Sequence, residues 1–204
     1  MYLKMKDYDN LQLGMCSNLT GQYCVIKNMH RYVIDDLGNH VGAILCTQYI
    51  ESPQHGRNCP LCERYFKMFG EYKKRGLNNP EELHAIEASK SKQYTSAIVY
   101  NYNKREHQIF IFGLEILNGL RRLERIHGDL TNIVINIKNN KRIDPITKKY
   151  YELEKVDKEV THNIELIKEV VLNGFNKLVT PMSYEDMSKK IIGDIKIKYS
   201  DVDY

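Results

Sequence analysis

The chain has 204 residues, 42% hydrophobic and 27% charged, with 12 Gly and 5 Pro. That is a globular composition, sufficient for one main core with an appended segment and too short for a large multidomain machine. Thirty Lys and Arg against 26 Asp and Glu leave +4, too little to mark a nucleic-acid binder unaided.

The distribution of charge says more. Residues 1–149 carry 22 basic and 15 acidic side chains, whereas 150–204 carry 8 and 11, so the front suits a polyanion better. No apolar run approaches the roughly 20 residues of a membrane helix, and the opening MYLKMKDYDN lacks a signal peptide's apolar region. A soluble, intracellular protein with no membrane partner is expected.

In chain order, Gln22–Val33 and Val41–Ile50 read as strands, separated by Asp35-Asp36-Leu37-Gly38-Asn39, whose residue types accept turn geometry. A hairpin follows. The five cysteines, at 16, 24, 46, 59 and 62, are odd in number and unevenly spaced, which argues against a disulfide scaffold. Cys59-Pro60-Leu61-Cys62 can aim two thiolates at one ion, and Cys46 supplies a natural third. A fourth donor would close a Cys3His structural zinc site. His30, His40 and His55 compete for that place, and spacing alone does not choose among them. A redox pair and an incidental core pair are the competing readings of the CxxC. Against redox chemistry, the motif follows a Pro/Gly-bearing loop and does not visibly open a helix after the first strand of a βαβ unit. Cys16 and Cys24 read as small buried side chains. A deaminase site is excluded because no His-x-Glu precedes the cysteine pair, which leaves Glu63 an ordinary exposed carboxylate.

Glu63–Arg75 predicts a short amphipathic helix, and Pro80-Glu81-Glu82-Leu83 a second helix start. Tyr94–Tyr100 is a strand continuing toward Tyr102, and Gln108–Phe112 returns beside it after a polar turn. A helix over Gly113–Arg125, a strand over Leu130–Lys138, a charged turn at 139–142 and a strand over Tyr150–Val156 come next. Residues 161–179 show helical spacing, and Ser183-Tyr184-Glu185-Asp186-Met187 caps and begins another helix. The resulting expectation is a mainly β fold with α insertions, a small barrel in preference to an α/β enzyme fold. Residues 1–160 would form its core, including a zinc-binding subdomain over about 28–92, with 161–204 as a C-terminal helical segment.

His30, Cys46 and Cys59-Pro60-Leu61-Cys62, then Tyr94–Tyr100, Gln108–Phe112, Gly113-Leu114-Glu115-Ile116 and Ser183-Tyr184-Glu185-Asp186-Met187, form a pattern over about residues 20–190. It resembles the single-stranded DNA-binding, helix-destabilising proteins of T-even bacteriophages. The resemblance implies an OB-fold barrel whose cleft lies beside one structural Zn(2+), with His30, Cys46, Cys59 and Cys62 as its ligands. The family's basic N-terminal arm is not evident in MYLKMKDYDN, and Asp201-Val202-Asp203-Tyr204 is not its long acidic tail. Weak self-association is therefore expected in place of strong filament cooperativity.

Single-stranded DNA binds where bases stack on aromatic faces and phosphates follow cations. Tyr94 and Tyr102 lead as stacking candidates, with Tyr72 and Tyr100 second. Lys73, Lys74, Arg75, Lys90, Lys92, Arg121 and Arg122 are the phosphate candidates, their binding expected to weaken with salt. No Gly-rich GK[ST] loop or assignable catalytic constellation is present in the sequence, so no enzyme is expected. The functional expectation is sequence-nonspecific single-stranded DNA binding in viral DNA replication, recombination or repair, in the cytoplasm of an infected bacterial host. Residues 161–204 would contact replication or recombination proteins. The alternative is a zinc-stabilised viral transcription or protein-interaction factor that binds duplex DNA, RNA or polymerase.

Overall fold

The computed structural model describes residues 2–34, 40–47, 59–76, 79–140 and 150–189. His55, Lys141, Arg142 and the stretch from 190 onward lie outside the described residues, as does the side chain of His40. The strands are β1 (Tyr2–Leu3), β2 (Asn10–Met15), β3 (Cys24–Ile34), β4 (His40–Leu45), β5 (Lys92–Asn101), β6 (Glu106–Phe112), β7 (Val134–Asn139) and β8 (Tyr151–Val156). The helices are α1 (Pro60–Lys74), α2 (Pro80–Ser89), α3 (Leu114–His127), α4 (Glu169–Val179) and α5 (Tyr184–Lys189). Packing divides the chain into two units, Met1–Ile26 with Gln93–Val179 and Lys27–Lys92 with Thr180–Tyr204. The expected zinc subdomain falls within the second unit, and the expected C-terminal segment is shared, 161–179 with the first and 180–204 with the second.

The strands form a mixed sheet of eight, in the order β1-β6-β5-β2-β7-β8, with β3 pairing with β5 and with β4. This corrects the expected closed barrel. Among the described residues the path ends at β1 and β8, and β1, parallel to β6, is only two residues long. At the other end the Tyr150 and Tyr151 N–H groups donate to Glu115 Oε1 of α3 at 2.8 and 2.9 Å, so a helix side chain takes donors that a further strand would need.

The core of the first unit follows from the pleat. Leu11 and Leu13 of β2, Ala97 and Val99 of β5, Phe110 and Phe112 of β6, and Ile135 and Ile137 of β7 are buried on one face with Ile116, Leu117, Leu120 and Leu123 of α3. The spacing of those α3 residues gives one apolar stripe, while Arg121 and Arg125 stay exposed. On β5 and β6, Ile98 and Ile109 alternate with the core residues, pair in register and are fully buried. Helix α4 lies at β6 and buries Val171, Phe175 and Leu178.

The β5–β6 turn is organised by one buried amide. Asn101 Oδ1 accepts from the Asn103 and Lys104 N–H groups at 3.0 and 3.2 Å, while its Nδ2 donates to Tyr8 Oη and Gln108 Oε1 at 2.9 and 2.7 Å. Its side chain bonds the turn from within, as a buried amide must, and Arg105 closes the turn at φ 57°.

Three details depart from the sequence expectation. Strand β2 was not anticipated, although Leu11, Leu13 and Met15 alternate. The strand expected from Leu130 begins only at Val134, because Asp129 accepts from Thr131 N and Oγ1 at 2.8 and 2.7 Å and closes a 3-10 turn over Leu130–Asn132. The helix expected from 161 begins at Glu169, because Asn163 caps a separate 3-10 turn at Ile164–Leu166 through Glu165 N at 2.9 Å.

In the second unit, β3 and β4 form an antiparallel hairpin in which Met29 faces Leu45 and His30 faces Ile44. Helices α1 and α2 pack through Tyr65, Tyr72 and Ile86, with Met68, Phe69 and Leu83 beside them. Gly76, at φ +61°, follows the last turn of α1, a conformation natural to glycine. The α2 start is fixed by Asn79, whose Oδ1 accepts from Glu82 N at 3.2 Å.

Candidate metal centre and nucleic-acid interface

Four buried side chains of the second unit converge. His30 comes from β3, Cys46 follows β4, and Cys59 and Cys62 open α1; all are between 1% and 5% exposed. Their ligand atoms lie within 4.8 Å of one another. Cys46 Sγ is 3.5 Å from Cys62 Sγ, and His30 Nε2 is 3.4 Å from Cys59 Sγ and 3.5 Å from Cys62 Sγ.

Local sequence explains the convergence. The His30–Ile44 pairing and the bond from Cys46 N to Asn28 O at 2.8 Å set the histidine beside the third cysteine. Cys59 is the residue before helix α1, Pro60 occupies the first helical position, and Cys62 falls in the first turn. Proline costs no hydrogen bond there, and the first-turn amides with the positive helix end favour thiolate charge. The CxxC thus does open a helix, which corrects the ground on which a redox pair was disfavoured. What separates it from a simple dithiol is the arrival of Cys46 and His30 at the same point. His40 pairs with Ile34, four residues along β3 from His30, roughly 13 Å away at strand rise.

The donor set fits a metal. A tetrahedral ion with bonds of about 2.3 Å to sulfur and 2.0–2.1 Å to nitrogen has edges of roughly 3.8 Å between sulfurs and 3.6 Å from sulfur to nitrogen. The cluster's short separations are of that size. Hydrogen bonds from Cys46 and Cys62 pull the Cys59 thiol far down, while hydrogen bonding to Cys46 and Cys59 drives Cys62 far up. A divalent ion stabilises thiolates packed this closely. By contrast, burial raises Cys16 to about 12, and burial together with the Glu124 charge raises Cys24 to about 11. They are inert core thiols. Helix α5 covers the cluster with Met187, whose Sδ lies 3.8 Å from Cys59 Sγ, and Tyr184 Oη donates to Glu63 Oε2 at 2.9 Å. Among the described residues the site offers four buried protein donors, the number a structural tetrahedral ion takes.

The nucleic-acid candidates are divided between the units. In the second, Tyr72 is 7% exposed and its hydroxyl donates to Asn79 O at 3.0 Å and accepts from Asn79 N at 3.1 Å. Its ring packs between α1 and α2, which removes it as a stacking platform. Lys73, Lys74, Arg75, Lys90 and Lys92 are exposed. Arg75 pairs with Glu82, Lys73 Nζ lies 4.5 Å over the Phe69 ring, and Lys90 Nζ 5.8 Å from the Tyr65 ring centre.

In the first unit Tyr94, Tyr100 and Tyr102 are half-buried. Tyr100 and Tyr102 meet edge to face at 5.0 Å, and two histidines the sequence reading did not single out join them. His107, opposite Tyr100 on β6, meets it at 5.1 Å, and His162 stacks on Tyr100 at 6.0 Å with planes 20° apart. Lys158 Nζ sits 4.7 Å over the Tyr102 ring, a cation–π contact. His107 was legible, because strand pairing places it beside Tyr100; His162, sixty residues from Tyr102, carried no local signal. Arg121 is exposed on α3, whereas Arg122 Nη2 donates to Leu153 O at 2.8 Å and is committed to β8.

Compared with protein-family models and with curated proteins, the chain matches none. No described helix is long and apolar enough to cross a membrane.

Proposed function

We propose that the protein is a nonenzymatic, sequence-nonspecific single-stranded DNA-binding protein, used where unpaired viral DNA must be protected during replication, recombination or repair in an infected bacterial cell. The observation that carries this reading is the Tyr100–Tyr102 pair at the β5–β6 hairpin, two half-buried rings with Lys158 at 4.7 Å from one of them. Stacking surface beside a cation is the chemistry that holds unpaired bases without reading them. Arg121, Lys73, Lys74, Lys90 and Lys92 are exposed cations for phosphate contacts in this reading. The fold attached to it is an OB-type binding sheet, on the strength of the family resemblance. The ion we assign to His30, Cys46, Cys59 and Cys62 is a single structural Zn(2+), because three thiolates and an imidazole at tetrahedral separations suit it.

A second reading rests on different residues. Leu166, in the 3-10 turn before α4, and Val170, in the first turn of α4, are 69% and 61% exposed, which suits a protein partner such as a replication or recombination factor, or a polymerase.

Fluorescence-anisotropy titration of the metal-replete protein against equal-length single-stranded DNA, duplex DNA and RNA, across salt, separates the readings. Preference for single-stranded DNA that weakens steeply with salt is expected. Equal or weak binding to all three would remove the DNA reading and leave the protein-partner one.

A further inference from the structure

The geometry points to a single-base binding notch on the first unit, floored by Gly14, walled by Tyr100 and Tyr102, and filled in the free protein by the chain's own His162. The inference rests on the single-stranded DNA reading and specifies how that site is built and regulated.

Gly14 pairs with Tyr100 across β2 and β5. A side chain at this point would strike the imidazole, since a Cβ built on Gly14 lies 2.5 Å from both His162 Cε1 and His162 Nδ1. The missing side chain is what admits a flat ring to the sheet surface. Within the notch the imidazole makes the contacts a nucleobase would make. It stacks on Tyr100. Its Nε2 donates to Met15 O at 3.1 Å, so its Nδ1 is the acceptor for the Tyr102 hydroxyl, also at 3.1 Å. The hydroxyl in turn accepts from Thr161 N at 3.2 Å, which commits its proton to the ring.

The notch therefore presents one acceptor, one donor and one aromatic face. Every nucleobase has an edge with an N–H beside a ring-nitrogen or carbonyl acceptor, so the site would take any unpaired base, as sequence-tolerant binding requires. Lys158 adds the charge for a neighbouring phosphate. Two observations show that His162 is held as an occupant. Residues 157–163 between β8 and the next 3-10 turn form no helix or strand, and besides His162 they are tied to the sheet through Lys158 N to Val156 O at 3.0 Å, Lys158 Nζ to Gln12 Oε1 at 3.1 Å and Thr161 N to the Tyr102 hydroxyl. Beside them, His107 Nε2 is buried with no hydrogen-bond partner among the described residues, a polar atom left for a ligand.

Residues 157–163 act on this account as a strap that competes with DNA. A strap closed in nine molecules of ten lowers apparent affinity about tenfold. The test uses the full chain, metal-replete, with a labelled oligo(dT) in anisotropy titrations and amide hydrogen exchange read on residues 157–163. His162→Ala should bind oligo(dT) about tenfold more tightly than wild type, and Gly14→Ala/His162→Ala, which refills the notch, should lose that gain. In the unmodified protein the Thr161 amide should lose protection when oligo(dT) binds. Equal or weaker binding by His162→Ala, or protection at 157–163 that holds or rises with DNA, overturns the notch while single-stranded DNA binding itself stands. If oligo(dT) binds none of these proteins, the DNA reading falls and takes the notch with it.

Discussion

His162 and His107 sit where their protonation should be read in stability. Burial holds both below the ordinary imidazole range, His107 further through the nearby charge of His162, while the bond to Met15 O partly offsets the shift in His162. Among the described residues the groups facing them are Tyr100 of β5, Tyr102 of the turn that follows it, Lys158 from 157–163, and the Gly14 and Met15 backbone of β2; none of these supplies a negative charge. A histidine whose folded value is depressed favours the native state above its unfolded value and loses that contribution as pH falls below it. Stability by urea denaturation should therefore fall between about pH 7 and pH 5.5, a window set by an unfolded imidazole near 6.5. His162→Gln, which keeps a donor and an acceptor, should flatten part of that slope, and an unchanged slope would remove His162 as its source. At this scale the metal centre was largely legible: Cys46, Cys59 and Cys62 announce themselves by spacing, and only the histidine needed the strand register. The aromatic site was half legible, because tyrosines on one strand can be paired by counting, but nothing in a sequence says which segment folds across them. Tyr72 shows the converse failure, since one aromatic residue on an amphipathic helix serves a core and a ligand equally well until the helix has a partner.

Among the elements, α3 packs closely on β8 in the first unit. A Cβ at Gly119 would lie 2.9 and 3.0 Å from the methyls of Leu153, and the helix cannot back away freely because Arg122 holds Leu153 O. Gly119→Ala sets two effects against each other. Alanine favours the helix by about 1 kcal/mol over glycine, while overfilling a packed seam costs roughly 1–3 kcal/mol. Because Leu153 is 5% exposed and packed into the core, its methyls have little room to turn aside, so overpacking should win, with a net loss of about 1 kcal/mol in chemical denaturation and an unchanged denaturant slope. A gain in stability would mean that Leu153 can turn aside. The same seam explains what could be read of the fold in advance. Long periodic stretches such as α3 and the β5–β6 pair were legible to within a few residues, because their apolar positions repeat and their turn is polar. Short elements were not, since β1 has two residues and β2 includes a glycine, which lowers a strand's own signal. Openness of the sheet was illegible for another reason: it depends on Glu115 of α3 reaching the Tyr150 and Tyr151 amides, a contact between segments 35 residues apart.

At the scale of the whole molecule, two cores with different origins share one chain. The first unit has a continuous apolar core of β2, β5, β6, β7 and α3 side chains. Among its described residues the second has two small clusters, one consisting mainly of the cysteine site, Ile44, Leu61 and Met187. A unit of that kind leans on its metal, because small clusters bury too little surface to offset chain entropy and ligand binding then counts as folding free energy. Chelation should accordingly act unevenly. With a strong zinc chelator, amide hydrogen exchange followed by mass spectrometry should show β3, β4, α1 and α5 losing protection by several kcal/mol, the size expected when a structural metal is withdrawn. Amides of β5, β6 and α3 beyond Gln93 should keep theirs. Restoring one equivalent of Zn(2+) should return the lost protection, and Cys59→Ser should reproduce the chelated state without chelator, while Cys16→Ser, at a thiol outside the cluster, should not. Uniform loss across both units would show that the first unit also depends on the metal for its fold. No loss in either would show that the His30, Cys46, Cys59 and Cys62 cluster stands by hydrogen bonding and packing without an ion.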